Sequence, residues 1–223
     1  RLFARDVLKV VIVGDIDRRG AAELLDAVFG GLPIKAQLAR IEKIQPQSRR
    51  GLAVVSRDYP LATAVFGLPS LATDHPRYAA LRVLNHIIGS GDFDARLMEE
   101  IRVKRGLAYS VQTTLEHDSI SSLMLGTLAT KNDTMRKALD VLKEVLASMA
   151  REGPTPTQFE NAKLYLSGSF LLDYDTSGKV AGSLLAIWLD GEGPDALVTR
   201  GQRIKNVALD EVKRVAAEVL NVE

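Results

Sequence analysis

The 223-residue sequence contains no cysteine. Disulfide bonds, thiolate metal sites and a cysteine nucleophile are therefore all excluded for these residues. Thiol-free chains occur in the bacterial cytoplasm and in the periplasm alike, so this absence leaves the localisation open between the two compartments.

Long apolar runs and a dominant sign of charge are also missing. No window approaches eighteen uninterrupted apolar residues, so we expect no membrane-spanning helix. The formal net charge is only +1, which gives no electrostatic reason to expect nucleic acid or an anionic membrane as a partner. With 46% hydrophobic and 26% charged residues, the composition is that of a globular chain able to bury a core.

Signature motifs of several enzyme classes are absent as well. The sequence has neither Gly-x-Gly-x-x-Gly nor Gly-x-x-x-x-Gly-Lys for phosphate binding, and no Gly-x-Ser-x-Gly for a serine nucleophile. Its three histidines, His75, His86 and His117, do not form a His-x-x-Glu-His zinc motif. We therefore expect no metal cofactor in this chain and no complete hydrolytic site.

Apolar periodicity predicts strands followed by a series of helices. The predicted strands cover 8–16, 52–57, 63–68, 108–117 and 121–130, and the main predicted helices cover 18–29, 76–88, 133–151, 156–173, 175–190, 195–204 and 210–220. This order predicts an α+β fold, with a mainly antiparallel (mixed) sheet and helices packed on one face. We expect residues 1–223 to form a single domain. Because the sequence starts without a methionine or a signal-peptide pattern, we also expect it to be a segment of a longer protein.

The most informative stretch covers residues 89–111 and is typical of a loop, a short helix, a glycine stop and a strand. Two glycines end the preceding helix, and Asp92 or Asp94 is predicted to cap the next one. Gly106 follows the last helical turn, at the position where a left-handed glycine commonly ends a helix. The chain is then predicted to reverse into a strand.

This reversal is predicted to bring the side-chain tips of Arg102 and Tyr109 together, although seven residues separate them. A guanidinium beside a phenol presents hydrogen-bond donors suited to a peptide carbonyl, a carboxylate or a developing oxyanion. The alternative is a surface arginine and a half-buried strand tyrosine without a function, and the spacing alone favours this alternative.

The stretch also resembles a known protein family. Residues 85–93 read Asn-His-Ile-Ile-Gly-Ser-Gly-Asp-Phe, and residues 96–111 read Arg-Leu-Met-Glu-Glu-Ile-Arg-Val-Lys-Arg-Gly-Leu-Ala-Tyr-Ser-Val. Together they resemble a signature segment of the insulinase/pitrilysin-like zinc metallopeptidases, in the mitochondrial-processing-peptidase-like branch. The likeness extends over most of the chain, from Leu8 to Leu220. It departs at Asp92-Phe-Asp-Ala-Arg96, where the family usually has a serine-arginine pair after the glycines.

The resemblance implies a division of labour between two homologous α/β halves that face each other. One half of such a peptidase carries His-x-x-Glu-His and a further glutamate, and the other supplies an arginine and a tyrosine seven residues apart. Arg102 and Tyr109 match those two positions, so this chain resembles the second, non-metal half. The implied function is substrate binding and oxyanion stabilisation opposite a zinc site on the partner half. The chain would be inert alone, and its implied partners are that zinc-binding half, on the same parent chain or a separate subunit, and a peptide substrate.

Two other functions remain open from the sequence. Members of this superfamily also serve as non-catalytic scaffold or core subunits of larger complexes, in which the arginine and tyrosine would be relics. A module that only binds peptides is a third possibility. A His-x-x-Glu-His motif in the rest of the parent protein would favour the peptidase half.

Overall fold

The computed structural model describes residues 2–39, 41–42, 51–118, 121–169 and 174–220. In these ranges it has three β-strands, β1 (Leu61–Pro69), β2 (Ser110–His117) and β3 (Ser122–Lys131). Its seven α-helices are α1 (Arg18–Phe29), α2 (Tyr78–Asn85), α3 (Met135–Glu152), α4 (Pro156–Gly168), α5 (Ser177–Leu189), α6 (Ala196–Lys205) and α7 (Leu209–Val219).

The strands form one antiparallel sheet in the order β1-β3-β2. In the centre of β3, Gly126 lies between Phe66 of β1 and Thr113 of β2. The Phe66 ring covers this glycine so closely that a side chain at position 126 would overlap it. The register of β1 against β3 therefore places an aromatic residue opposite a glycine, which leaves room for the ring. The strands predicted over 63–68, 108–117 and 121–130 are confirmed, with ends shifted by no more than two residues.

The strands predicted over 8–16 and 52–57 are wrong. No strand pairing involves either segment in the part of the chain that the structure describes. In the second segment Leu52 and Val54 are each 78% exposed. The backbone N–H and C=O groups of a valine-rich segment are paired in a sheet only if a second strand lies beside it. The sequence of the segment does not reveal whether such a strand is present.

The described residues divide into two compact units. The first takes in the described parts of Arg1–Glu42 and Gly168–Gly201, and the second those of Lys43–Ser167 and Gln202–Glu223. The expectation of a single domain stays a prediction.

In the first unit, α1 begins where its sequence predicts. The Asp17 side chain accepts a hydrogen bond from the Gly20 backbone N–H at 2.7 Å, which satisfies one of the free donors of the first turn. Farther along the chain, Arg200 forms ion pairs of 3.0 Å with Asp190 and with Glu192.

In the second unit, helices α2 and α3 pack on one face of the sheet, and α7 packs against both of these helices. Their apolar side chains and the inward-facing strand residues share one buried core, whose members include Leu81, Leu84, Val111, Met124, Leu128, Leu142, Leu146, Val212 and Val215. On the opposite sheet face, Val65, Gln112 and Thr127 align across the three strands and are exposed. The predicted α+β class, a mainly antiparallel sheet with helices on one face, is confirmed.

The helix predicted over 76–88 changes character before its end. Helix α2 stops at Asn85, and the chain continues through a π-helical turn over His86–Ser90. The helix predicted over 156–173 is present as α4 up to Gly168, and the last four predicted residues lie outside the described residues.

Candidate functional site

The site begins where the π-helical turn lies against β2. The buried Asn85 side chain accepts a hydrogen bond from the Thr113 hydroxyl at 2.8 Å. At Gly89 the two backbones approach so closely that a Cβ atom would lie 2.7 Å from the Thr113 nitrogen. A glycine is therefore required at position 89, and the contact fixes the start of the following loop on the sheet.

A single 3₁₀ turn, Asp92–Asp94, then carries Phe93 outward. Asp92 has φ of +49°, a left-handed conformation that aspartate tolerates better than most residues. The predicted capping role of Asp92 or Asp94 is wrong, since no side-chain hydrogen bond caps the next helical segment. That segment begins instead through the backbone, with the Glu99 N–H donating to the Ala95 carbonyl at 2.9 Å.

The helical segment that carries Arg102 has a π-helical turn over Met98–Val103, anchored by the fully buried Ile101. Gly106 ends it as predicted, with φ of +61° and its N–H donating to the Arg102 carbonyl at 2.9 Å. The chain then reverses, and the Tyr109 N–H donates to the Ala129 carbonyl of β3 at 2.9 Å. Both candidate side chains are thus attached to backbone that the core and the sheet hold in place.

The structure brings Arg102 and Tyr109 together. The Arg102 Cζ atom lies over the Tyr109 ring, 5.5 Å from its centroid, and over the Phe93 ring at 5.1 Å. Arg102 is half-buried, whereas Tyr109 is 77% exposed and Phe93 is 63% exposed. Both distances are within the range of a cation–π contact. We name the three residues the Arg102 cluster.

Sequence reasoning did not identify Phe93 as a member of this cluster. It lies nine residues before Arg102, in a different turn, and no helical or strand periodicity relates the two positions. The one available signal was a large aromatic residue in a polar loop between two aspartates.

The Arg102 side chain has no ion pair or side-chain hydrogen bond within the described ranges, unlike the cations that follow it. Glu100 accepts hydrogen bonds from Lys104 at 2.8 Å and from Arg105 at 2.5 Å. The hydrogen bond from Lys104 is the main cause that lowers the pKa of Glu100, and the bond from Arg105 lowers it further. The same bond to Glu100 and a second one to Glu99 raise the pKa of Lys104. The guanidinium donors of Arg102 therefore remain available to a ligand.

The histidines serve local packing and do not converge. His86 stacks on Tyr165 with ring centroids 4.8 Å apart, and burial lowers its pKa below the usual 6.5 against the opposing effect of Asp92 and Asp94. His75 accepts a hydrogen bond through Nδ1 from the Arg77 backbone, and His117 lies edge-on to Tyr78. Among the described residues, no group of three or more histidines and carboxylates is placed to hold a metal ion, so this part of the chain does not fit zinc.

None of the helices in the described ranges is long and apolar enough to cross a membrane.

Comparison with known proteins places these features in context. Residues 1–166 match a family model described as the peptidase M16 inactive domain. A non-peptidase homologue of Helicobacter pylori is 28% identical over 177 residues, which is 79% of this chain and 40% of that protein. An uncharacterised zinc protease of Mycobacterium bovis is 26% identical over 228 aligned positions, covering 99% of this chain and 51% of that protein. The chain thus spans about half the length of the curated relatives it matches.

The fold also matches solved structures. A peptidase M16 inactive domain of Pseudomonas fluorescens superposes with a TM-score of 0.81 and is 26% identical, over 94% of this chain and 49% of that chain. The Pseudomonas fluorescens protein, which is described by the same family name, therefore shares the antiparallel sheet with helices on one face.

Proposed function

The chain belongs to the family of peptidase M16 inactive domains, and from this premise we propose that it is the non-metal half of a two-half zinc metalloendopeptidase. In this role it binds an extended peptide through Arg102 and Tyr109. The zinc ion would belong to a homologous half, because the described residues of this chain offer no ligand set for it. The chain covers about half of the Mycobacterium bovis protein and of the Pseudomonas fluorescens chain, which supports a missing partner of similar size.

One observation carries the proposal. Arg102 is a half-buried cation that contacts Tyr109 and has no carboxylate partner in the described part of the chain. Partial burial of a guanidinium costs free energy, and a ligand that completes its hydrogen bonds offsets this cost. A purely structural arginine would be expected to pair with one of the nearby acids, as Arg105 does.

The chemistry follows from the two donors. The guanidinium N–H groups and the phenolic O–H of Tyr109 donate hydrogen bonds to a carbonyl oxygen of the substrate backbone. These hydrogen bonds strengthen as the carbonyl oxygen gains negative charge in the transition state. They therefore lower the activation barrier in addition to binding the substrate. Neither group needs to gain or lose a proton for this.

The test is turnover of an unfolded peptide by the intact parent protein. Arg102→Ala or Tyr109→Phe should each lower kcat/KM by about 10²–10³-fold, as is typical for loss of one oxyanion donor. Zinc content should stay unchanged, because neither residue is a ligand. Tyr59→Phe is the matched control, since Tyr59 is similarly exposed and hydrogen-bonds only through its backbone, to Arg57 and Asn132, among the described residues. Cleavage close to wild type by both variants would refute the assigned roles.

A second function, that of a non-catalytic scaffold, is favoured by one finding. The Helicobacter pylori relative is described as a non-peptidase homologue. If this chain also acts only as a scaffold subunit, the purified parent assembly should contain no zinc and cleave no peptide. The Arg102→Ala variant would then leave assembly and function intact.

A further inference from the structure

Phe93 occupies a position that core packing does not explain. It is 63% exposed, and it belongs neither to the buried core nor to the half-buried residues that pack against it. A single exposed apolar side chain is common, but this one contacts the functional arginine at 5.1 Å.

The loop around Phe93 is held in an unusual conformation. Asp92 adopts φ of +49°, and a Cβ atom at Gly91 would lie 2.7 Å from the His86 carbonyl oxygen. Left-handed backbone at a non-glycine residue is uncommon and persists where the surroundings hold it. The fold thus constrains the loop that presents the Phe93 ring.

Neither of the two aspartates that flank Phe93 forms an ion pair with Arg102. Asp92 and Asp94 instead act electrostatically on His86. The residue between them supplies an uncharged ring, so Arg102 contacts an aromatic face here and not a carboxylate.

An arginine needs such support if it is to bind the same atom at every turnover. A free arginine side chain populates many rotamers, and ordering it costs conformational entropy. Ring faces attract the guanidinium without accepting its in-plane hydrogen bonds as a carboxylate does. A positioning group of this kind keeps the cation ordered and unneutralised.

We propose that Phe93 is a positioning residue for Arg102: together with Tyr109 it holds the guanidinium over two aromatic rings, so that the N–H donors are directed to a peptide carbonyl. This inference rests on the proposed function for its role in turnover, but the ordering of Arg102 is measurable without any substrate. Phe93 itself does not contact the reacting atoms.

The experiment compares Phe93→Leu with Phe93→Tyr. Leucine keeps an apolar side chain and removes the ring, whereas tyrosine keeps the ring. In ¹⁵N-arginine-labelled chain, Phe93→Leu should move the Arg102 Hε resonance downfield, toward that of an exposed arginine, because a ring current is lost. In the parent protein, Phe93→Leu should lower kcat and kcat/KM together by roughly tenfold or more, and Phe93→Tyr should restore both. Tyr59→Leu, at an exposed aromatic remote in sequence, should change neither readout.

The possible outcomes separate the two proposals. If Arg102→Ala lowers turnover and Phe93→Leu does not, the positioning role is wrong while the proposed function stands. If Phe93→Leu leaves the Arg102 resonance unmoved, the positioning role is wrong whatever the kinetics show. If Phe93→Leu moves the resonance but neither Arg102→Ala nor Phe93→Leu affects turnover, the proposed function fails, and with it the positioning role in catalysis. Unchanged thermal unfolding of Phe93→Leu is expected because the ring is exposed, and a large loss of stability would also count against the proposal.

Discussion

Arg102 and Arg105 lie three residues apart near the end of one helical segment, but their surroundings differ. Arg105 hydrogen-bonds the Glu100 carboxylate, which also accepts from Lys104. Arg102 contacts the rings of Phe93 and Tyr109 and no carboxylate among the described residues. Both are arginines, but Arg102 is half-buried within the π-helical turn and Arg105 is exposed just after it, so their different neighbours follow from where the fold places them.

This difference separates a cation that the chain pairs internally from one that has no ion pair among the described residues. The Glu100 ion pairs satisfy Lys104 and Arg105 within the chain, and ion pairs with exposed partners contribute little to stability because water screens them. Arg102 makes aromatic contacts, and its side-chain N–H donors have no acceptor within the ranges that the structure describes. The sequence alone shows three basic residues close together and does not reveal which of them is unpaired.

Short of removing Arg102 itself, the largest expected effect comes from making Arg102 resemble Arg105. Phe93→Glu would place a carboxylate beside the guanidinium, so that a peptide must compete with an internal ion pair. We expect kcat/KM of the parent protein to fall about 10²-fold, against roughly tenfold for the neutral control Phe93→Gln. Equal losses in the two variants would mean that neutralisation of Arg102 does not matter.

An intermediate effect is expected at Gly106, which lets the chain turn back from the helical segment toward Tyr109. At φ of +61° an added Cβ is strained even though no atom lies within 4 Å of it. Gly106→Ala should lower the free energy of unfolding by about 1–2 kcal/mol, measured by urea titration. Gly51→Ala, in the same unit and also in open space but without positive φ, should change it by less than about 0.5 kcal/mol. Similar losses of unfolding free energy in both variants would contradict the explanation that the positive φ of Gly106 is the cause.

The smallest effect is expected at Glu100 and depends on pH. Its pKa in the folded chain is lowered from 4.5 by Lys104 and Arg105, so the unfolded chain binds its proton more readily. The resulting stabilisation is fully present above about pH 4.5 and is lost as the pH falls through the lowered pKa. Glu100→Gln should therefore cost roughly 0.5–1 kcal/mol at pH 7 and progressively less in acid, with turnover nearly unchanged. A variant whose stability deficit persists undiminished at low pH would argue against the ion pairs as its cause.

The local periodicity of apolar residues was sufficient to predict the positions of several helices and strands. The bounds of α1 match the prediction, since Asp17 supplies a cap and apolar residues recur at helical spacing. The strands β2 and β3 also lie where alternation placed them, because they follow each other and pair antiparallel. In contrast, the segments 8–16 and 52–57 have strand-like composition but no pairing in the described residues, and pairing is a tertiary property.

The candidate site was only partly predictable. The resemblance to a family singled out Arg102 and Tyr109, and Gly106 gave the reversal that brings them together; their role stays a prediction. The Phe93 contact was missed because it joins two turns across space. The capping prediction for Asp92 and Asp94 was wrong because the 3₁₀ turn leads into the helical segment through backbone hydrogen bonds, which composition does not encode.

The most direct measurement is the ratio of kcat/KM between Arg102→Ala and Arg105→Ala in the zinc-loaded parent protein, with an unfolded peptide as substrate. If the unpaired cation binds the substrate backbone, Arg102→Ala should be about 10²–10³-fold less active than wild type. Arg105→Ala should retain activity within about twofold, since it loses only an exposed ion pair of about 1 kcal/mol or less. Equal activities, or a greater loss in Arg105→Ala, would contradict the account.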